Sequence, residues 1–432
     1  MLAPLVHAAS AFSGSNDTRH PIVLMPGLAG SRLQAQLHDS VEPHFWCEKS
    51  SGGEWLQLWL SLEQVAPEQK DCLMSRIALT YNSSTGNYSD AQGVTLDTNV
   101  DFGSVGGISS LDPSLAKETG YFRTMITSLT ALGYEVGKDL HGAPYDWRMA
   151  PDGHAVGLYP KLKALLESTV ARNGKPAHII THSLGGPTAL AFLNAQTPAW
   201  LAAHVESFVP ISGPFAGAAS QIKAYVCGDT LGIPFIPSDY LQPIQVTAAS
   251  GIFMMPAPGA TFAGSTLVRT ASKNYTADDW QTFLADLGHT QAAAIGRALD
   301  ARRLSMKALR APGVKTHVVT SAGVKTPLEY VFEGSLEPGY RKTPQEVING
   351  DGDGTVNLQS LLLPQTGWAD NSGAPLLFFN VSGVEHFSMV SDSRVLGYIK
   401  SEVLDMGLRQ LARRGGRTSK ITGTPPLALG CS

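Results

Sequence analysis

Short uninterrupted apolar runs alternate along this chain with stretches whose apolar positions fall three and four residues apart. Ile22-Val23-Leu24-Met25 is a run of the first kind, closed by Pro26-Gly27. Segments 177–181, 208–211, 315–320 and 375–381 repeat the pattern. Apolar runs of this length predict strands covered on both faces. Segments 121–132, 161–171, 184–194 and 395–411 have helical spacing instead. Gly133 stops the first of these, and Pro187 sits in the first turn of the third, where a missing N–H costs little. Trp55, Leu58, Trp59 and Leu62 fall at i, i+3, i+4 and i+7, which predicts one face of a further helix. Alternating strand and helix signals predict a mostly parallel sheet covered by helices. The stretch 211–311 breaks the alternation and reads as an insertion.

Composition narrows the class. The chain has 432 residues, 43% hydrophobic and 16% charged, enough for a large core. A net charge of −4 gives no reason to expect a nucleic-acid partner. No run approaches the roughly 18 apolar residues of a spanning helix. Segment 1–19 carries a small-residue run, Ala8-Ala9-Ser10-Ala11, but Pro4 and His7 interrupt it and no basic region precedes it, so it reads as a remnant export signal at most. Five N-x-Ser/Thr sequons stand at Asn16, Asn82, Asn87, Asn274 and Asn380. Of the four cysteines, Cys47 and Cys72 lie close enough for a local disulfide, the alternative being buried thiols; the partners of Cys227 and Cys431 are left open. Together these favour a secretory-pathway lumen: secreted, lysosomal or vacuolar. Segment 406–432 reads as a solvated basic tail, with Arg409, Arg413, Arg414, Arg417 and Lys420 and no acid.

The chemistry gathers at three places. Thr181-His182-Ser183-Leu184-Gly185 joins a predicted strand to a predicted helix. That is the setting of the nucleophile elbow of α/β-hydrolases, although Thr181 replaces the usual first glycine. A serine hydroxyl needs a base to take its proton and a carboxylate to orient that base, in the chain order Ser, Asp or Glu, His. Asp353 lies in Asn349-Gly350-Asp351-Gly352-Asp353-Gly354, with Asp351 as the alternative. His386 is the one histidine beyond it. The aspartate spacing also matches part of a calcium loop, but the twelfth position is Ser360, which cannot supply the required carboxylate. The catalytic triad is therefore expected to be Ser183, Asp353 and His386. The Leu184 amide and the Leu28 amide in Pro26-Gly27-Leu28-Ala29-Gly30 are the expected oxyanion donors. His182 is expected to be structural support, and Asp146 with Arg148 a buried structural pair. The mechanism calls for no cofactor and no metal.

Several stretches make the sequence resemble the lecithin:cholesterol acyltransferase family. They are PIVLMPGLAGSRLQAQL at 21–37, the Trp-rich segment between Cys47 and Cys72, APYDWR at 143–148, GKPAHIITHSLGG at 174–186 and GDTLGIP at 228–234. NYT at 274–276, APGVKTHVVTSAGVKTP at 311–327, GDGDGTVN at 350–357 and VEHFSMV at 384–390 complete the match. The resemblance implies an α/β-hydrolase domain over 20–405. Within it, 38–75 would be a small membrane-binding subdomain, 85–120 with 211–311 a cap and lid region, and 228–256 the mobile part. It implies a lipid O-acyltransferase and phospholipase A that forms an acyl-enzyme on Ser183 and passes the acyl group to an alcohol, such as a sterol, or to water. The partner would be a phospholipid membrane or lipoprotein-like surface. Read alone, the stripe of Trp55 and Trp59 would pack on a core; the resemblance assigns it, with Trp46, to membrane or substrate contact. No cysteine lies between Cys227 and Cys431, so the second disulfide of the blood acyltransferase is absent. A general lipase or esterase, or a catalytically silent lipid-binding protein, are the competing readings.

Overall fold

The computed structural model describes residues 19–232, 236–259, 261–368 and 373–405. The N-terminal segment with Asn16 and the basic tail with Cys431 lie outside them. The five apolar runs and a sixth strand form one sheet: β1 (Ile22–Met25), the unanticipated β2 (Leu140–Gly142), β3 (Ala177–His182), β4 (Val205–Ile211), β5 (Thr316–Ala322) and β6 (Leu376–Ser382). Their order across the sheet is β6-β5-β4-β3-β1-β2, and every pairing is parallel.

The central strands β1, β3 and β4 read as apolar runs because their two faces meet different helices. Val23, Met25, Ile179 and Phe208 pack with Leu162, Leu166, Leu190 and Phe192 on one side. Ile22, Leu24, Ile180 and Val209 pack with Phe122, Met125, Val395 and Ile399 on the other. The helix Leu158–Asn173 turns Leu158, Leu162, Leu166 and Thr169 inward and ends at Gly174, whose φ of 69° favours a residue without a Cβ. The segment between β4 and β5 carries helices Ser220–Val226, Ser238–Gln245, Ala249–Phe253, Trp280–Asp286 and Thr290–Ala301. The last expected helix begins at Ser393, and its continuation past 405 lies outside the described residues.

The structure corrects one element. Residues 55–62 are not a helix: Leu56–Trp59 is a strand, paired antiparallel to Leu33–Leu37. Leu56, Leu58 and Leu60 also alternate, so this short window satisfies both periods. The free edge of Leu33–Leu37, unseen in local sequence, decides between them. Among the described residues, no helix is long and apolar enough to cross a membrane.

Candidate active site

β3 ends at His182 and the helix Gly185–Asn194 begins three residues later. Ser183 between them has a φ of 53°, the left-handed region that a β-carbon normally avoids. Its N–H donates to the Ile211 carbonyl at 2.9 Å, which holds the turn at the sheet edge. The turn works because its neighbours are small. A β-carbon on Gly185 would lie 2.4 Å from the Pro26 carbonyl oxygen, and one on Gly27 would lie 2.7 Å from Ser183 Cβ. Thr181, in place of the first glycine, is a buried strand residue whose Oγ1 has no partner among the described residues.

His386 opens the short 3-10 turn His386–Val390, just after β6. Its Nδ1 lies 2.7 Å from Asp353 Oδ2, and its N–H donates to the Asp353 carbonyl at 2.8 Å. A carboxylate accepts, so Nδ1 carries the proton and Nε2 keeps its lone pair. The other Asp353 oxygen accepts from the Val356 amide at 2.8 Å and the Thr355 amide at 3.1 Å. Asp353 is fully buried. Burial pushes its carboxyl up, but His386 and these two amides outweigh it and hold it below the usual range. Asp351 instead accepts from the Gly323 amide at 2.6 Å and the Gly352 amide at 2.7 Å. Ser183, His386, Gly27 and Leu28 line one cavity of about 460 Å³.

The loop 26–31 below that cavity is braced on every side. Tyr145 Oη donates to the Pro26 carbonyl at 2.9 Å, and the Gly27 amide donates to Tyr121 Oη at 3.0 Å. Trp59 Nε1 donates to the Ala29 carbonyl at 2.8 Å, and Trp147 Nε1 to the Ser31 carbonyl at 3.2 Å. The Leu28 and Leu184 amides, in contrast, have no protein acceptor among the described residues. The aromatic members of APYDWR thus hold the backbone opposite Ser183. Arg148, 1% exposed, is bidentate to Asp146 at 2.9 and 2.7 Å and reaches Asp90 at 2.7 Å. Sequence reasoning missed Tyr121 and the bracing role of Trp59, because a ring 30 or more positions away leaves no local signal.

Trp59 also corrects an expectation. It is 1% exposed and packed against Trp147, so it does not meet a membrane; it lines the cavity that also holds Ser183, which leaves the substrate-contact alternative in place. Trp46 and Trp55 are 51% and 45% exposed, and the exposed Phe45 ring packs edge-on against Trp46. Cys47 and Cys72 form a disulfide. Cys227 is buried and has no disulfide partner among the described residues. Asn82, Asn87, Asn274 and Asn380 are all exposed.

The family model described as lecithin:cholesterol acyltransferase matches residues 55–307 and 300–393. Human lysosomal phospholipase A and acyltransferase is 32% identical over 388 residues, 89% of this chain and 91% of that protein. Lecithin-cholesterol acyltransferase-like 1 of Arabidopsis thaliana is 34% identical over 410 residues, 90% of each chain. Human phosphatidylcholine-sterol acyltransferase is 31% identical over 412 residues, 95% of this chain and 89% of that one. Among solved structures, a chain of the Tle4–Tli4 complex aligns with a TM-score of 0.52 at 12% identity, covering 90% of this chain and 98% of that one, a likeness of fold alone. With an α/β-hydrolase sheet, a serine elbow and relatives matched over nearly its whole length, the chain belongs to the lecithin:cholesterol acyltransferase family.

Proposed function

We propose that the protein is a phospholipid O-acyltransferase and phospholipase A that works through an acyl-enzyme on Ser183. The observation that carries this is the His386 imidazole, fixed by Asp353 with its Nε2 lone pair free, in the cavity that also holds Ser183. Ser183 Oγ attacks the ester carbonyl carbon while His386 Nε2 takes its proton. The carbonyl oxygen becomes an oxyanion facing the Leu28 and Leu184 amides. The intermediate then breaks its bond to the glycerol oxygen, and His386 returns the proton to the departing lysophospholipid. In the second half, His386 takes a proton from water or from an alcohol, whose oxygen displaces Ser183 Oγ, and His386 returns that proton to Ser183 Oγ as it leaves. Fatty acid or a new ester leaves. Both halves are proton transfers and acyl exchange between oxygens, so the residues described suffice for the balance.

The protein works on this reading at a phospholipid surface, with exposed Phe45, Trp46 and Trp55 as the contact and the segments 85–120 and 211–311 as its cap and lid. Exposed apolar rings rimmed by polar residues suit an interface. The disulfide, the exposed sequons and the lysosomal relative support a lumenal or secreted location.

Two measurements test the proposal. A fluorophosphonate should label the folded protein, and Ser183→Ala should abolish labelling. Thin-layer analysis with phosphatidylcholine vesicles should give lysophosphatidylcholine with fatty acid, and an acyl ester when a lipophilic alcohol is added. Cleavage of short soluble esters with no product from phospholipid would leave only a general esterase.

A further inference from the structure

Three loops must hold station for this chemistry: the elbow carrying Ser183, the turn carrying His386 and the loop carrying the Leu28 amide. A single buried chain of hydrogen bonds joins all three. The Gly27 amide donates to Tyr121 Oη at 3.0 Å. Tyr121 Oη meets His182 Nδ1, and His182 Nε2 lies 3.0 Å from the His386 carbonyl oxygen. Tyr121 is 4% exposed and His182 is 2% exposed.

The chemistry of the partners fixes every hydrogen. A carbonyl only accepts, so His182 Nε2 must carry the proton. A neutral ring then presents a lone pair at Nδ1, and the Tyr121 hydroxyl donates to it. The phenol oxygen in turn accepts from Gly27. Burial, and secondarily the neighbouring His386, lower His182 to about 3, so the ring stays neutral and the polarity of the chain does not reverse at ordinary pH. The anchoring also has a reason at each end. Gly27 must lack a β-carbon, because one would lie 2.7 Å from Ser183 Cβ. The Gly27–Leu28 peptide, which carries the Leu28 N–H, is held at its carbonyl by the Gly30 amide at 3.1 Å. Tyr121 holds the preceding peptide through the Gly27 N–H, so that both planes flanking a torsionally free glycine are fixed. At the other end, the His386 peptide is held at its N–H by Asp353 and at its carbonyl by His182.

We propose that His182 and Tyr121 are positioning residues that lock the base turn and the oxyanion loop to the nucleophile elbow. The proposal rests on the roles assigned above to Ser183, His386 and the Leu28 amide. Neither residue hydrogen-bonds to Ser183 Oγ or His386 Nε2; both act through the groups they hold.

The test uses the full chain with a short soluble ester, reading kcat and KM separately. His182→Leu keeps bulk and removes both bonds; kcat should fall about 30- to 100-fold with KM within about twofold, as expected for misplaced catalytic groups. His182→Gln can restore the donor to the His386 carbonyl and should recover most of kcat. Tyr121→Phe keeps the ring and loses the hydroxyl, and should lower kcat about tenfold with no more than a small change in melting temperature. Folded His182→Leu or Tyr121→Phe with kcat within about threefold of the parent would overturn the proposal. So would equal kcat losses in His182→Leu and His182→Gln, the mark of simple packing. If His182→Leu does not fold, Tyr121→Phe and His182→Gln decide alone by the same criteria. Ser183→Ala is run beside them: retained turnover there would sink the acyl-enzyme reading itself, whatever the network does.

Discussion

Asp353 has both carboxylate oxygens engaged, one by His386 and one by the amides of Val356 and Thr355. Asn at this position keeps the shape but can turn a donor toward Nδ1, which stabilises the wrong imidazole tautomer. Asp353→Asn should therefore lower kcat about 10⁴-fold on a soluble ester with little change in KM. Asp351→Asn should retain at least about half of the parent kcat, because its carboxylate caps two backbone amides and not the imidazole. Steady-state kinetics of the two variants side by side separates the carboxylates. An Asp351 variant as damaged as the Asp353 one would contradict the assignment.

At the scale of elements, the segment around the disulfide divides its tryptophans between two tasks. Trp46 and Trp55 face solvent, whereas Trp59 lies under the loop 26–31 with its indole on the Ala29 carbonyl. Replacing Trp46 and Trp55 together by Ser should cut vesicle binding and phospholipid turnover several-fold and spare a soluble ester. Trp59→Ala should impair both substrates, because it loosens backbone next to the chemistry and leaves a cavity costing about 3–5 kcal/mol. Co-sedimentation with vesicles and paired assays distinguish the two patterns. The disulfide closes a 25-residue separation, so Cys72→Ser should cost about 3 kcal/mol in urea denaturation.

The whole molecule buries histidines in neutral form. Burial is the main cause in each case: it lowers His154 and His317 to about 4 and His178 and His182 to about 3. In the unfolded chain a histidine titrates near 6.5. Below about pH 6.5 the unfolded state therefore binds protons that the native state refuses, and stability falls as pH drops toward 4. At pH 7 and above the effect vanishes, since both states are neutral. Asp146 and Asp353, held low by Arg148 and by His386 respectively against their own burial, add a second loss in the same direction at lower pH. Each histidine contributes up to about 1.4 kcal/mol per pH unit across its window. Urea denaturation should show several kcal/mol less stability at pH 5 than at pH 7. A rise on acidification would contradict the neutral burial of these rings.

The linear order of residues was enough to place β1, β3, β4 and β5, because a strand covered on both faces is largely apolar and ends where Pro, Gly or a polar residue ends it; β6, a half-exposed edge strand, was legible from its apolar run alone. It also singled out Ser183, Asp353 and His386, since each needs a particular side chain next to a particular kind of turn. Where local periodicity served two structures equally, as in 55–62, only the partner strand Leu33–Leu37 decided. The same holds for Tyr121, His182, Trp59 and Trp147: an aromatic or imidazole ring declares its hydrogen-bond partner only when the chain has folded that partner against it. Periodicity and turn chemistry are local and survive in the sequence; pairing across tens or hundreds of residues is created by packing.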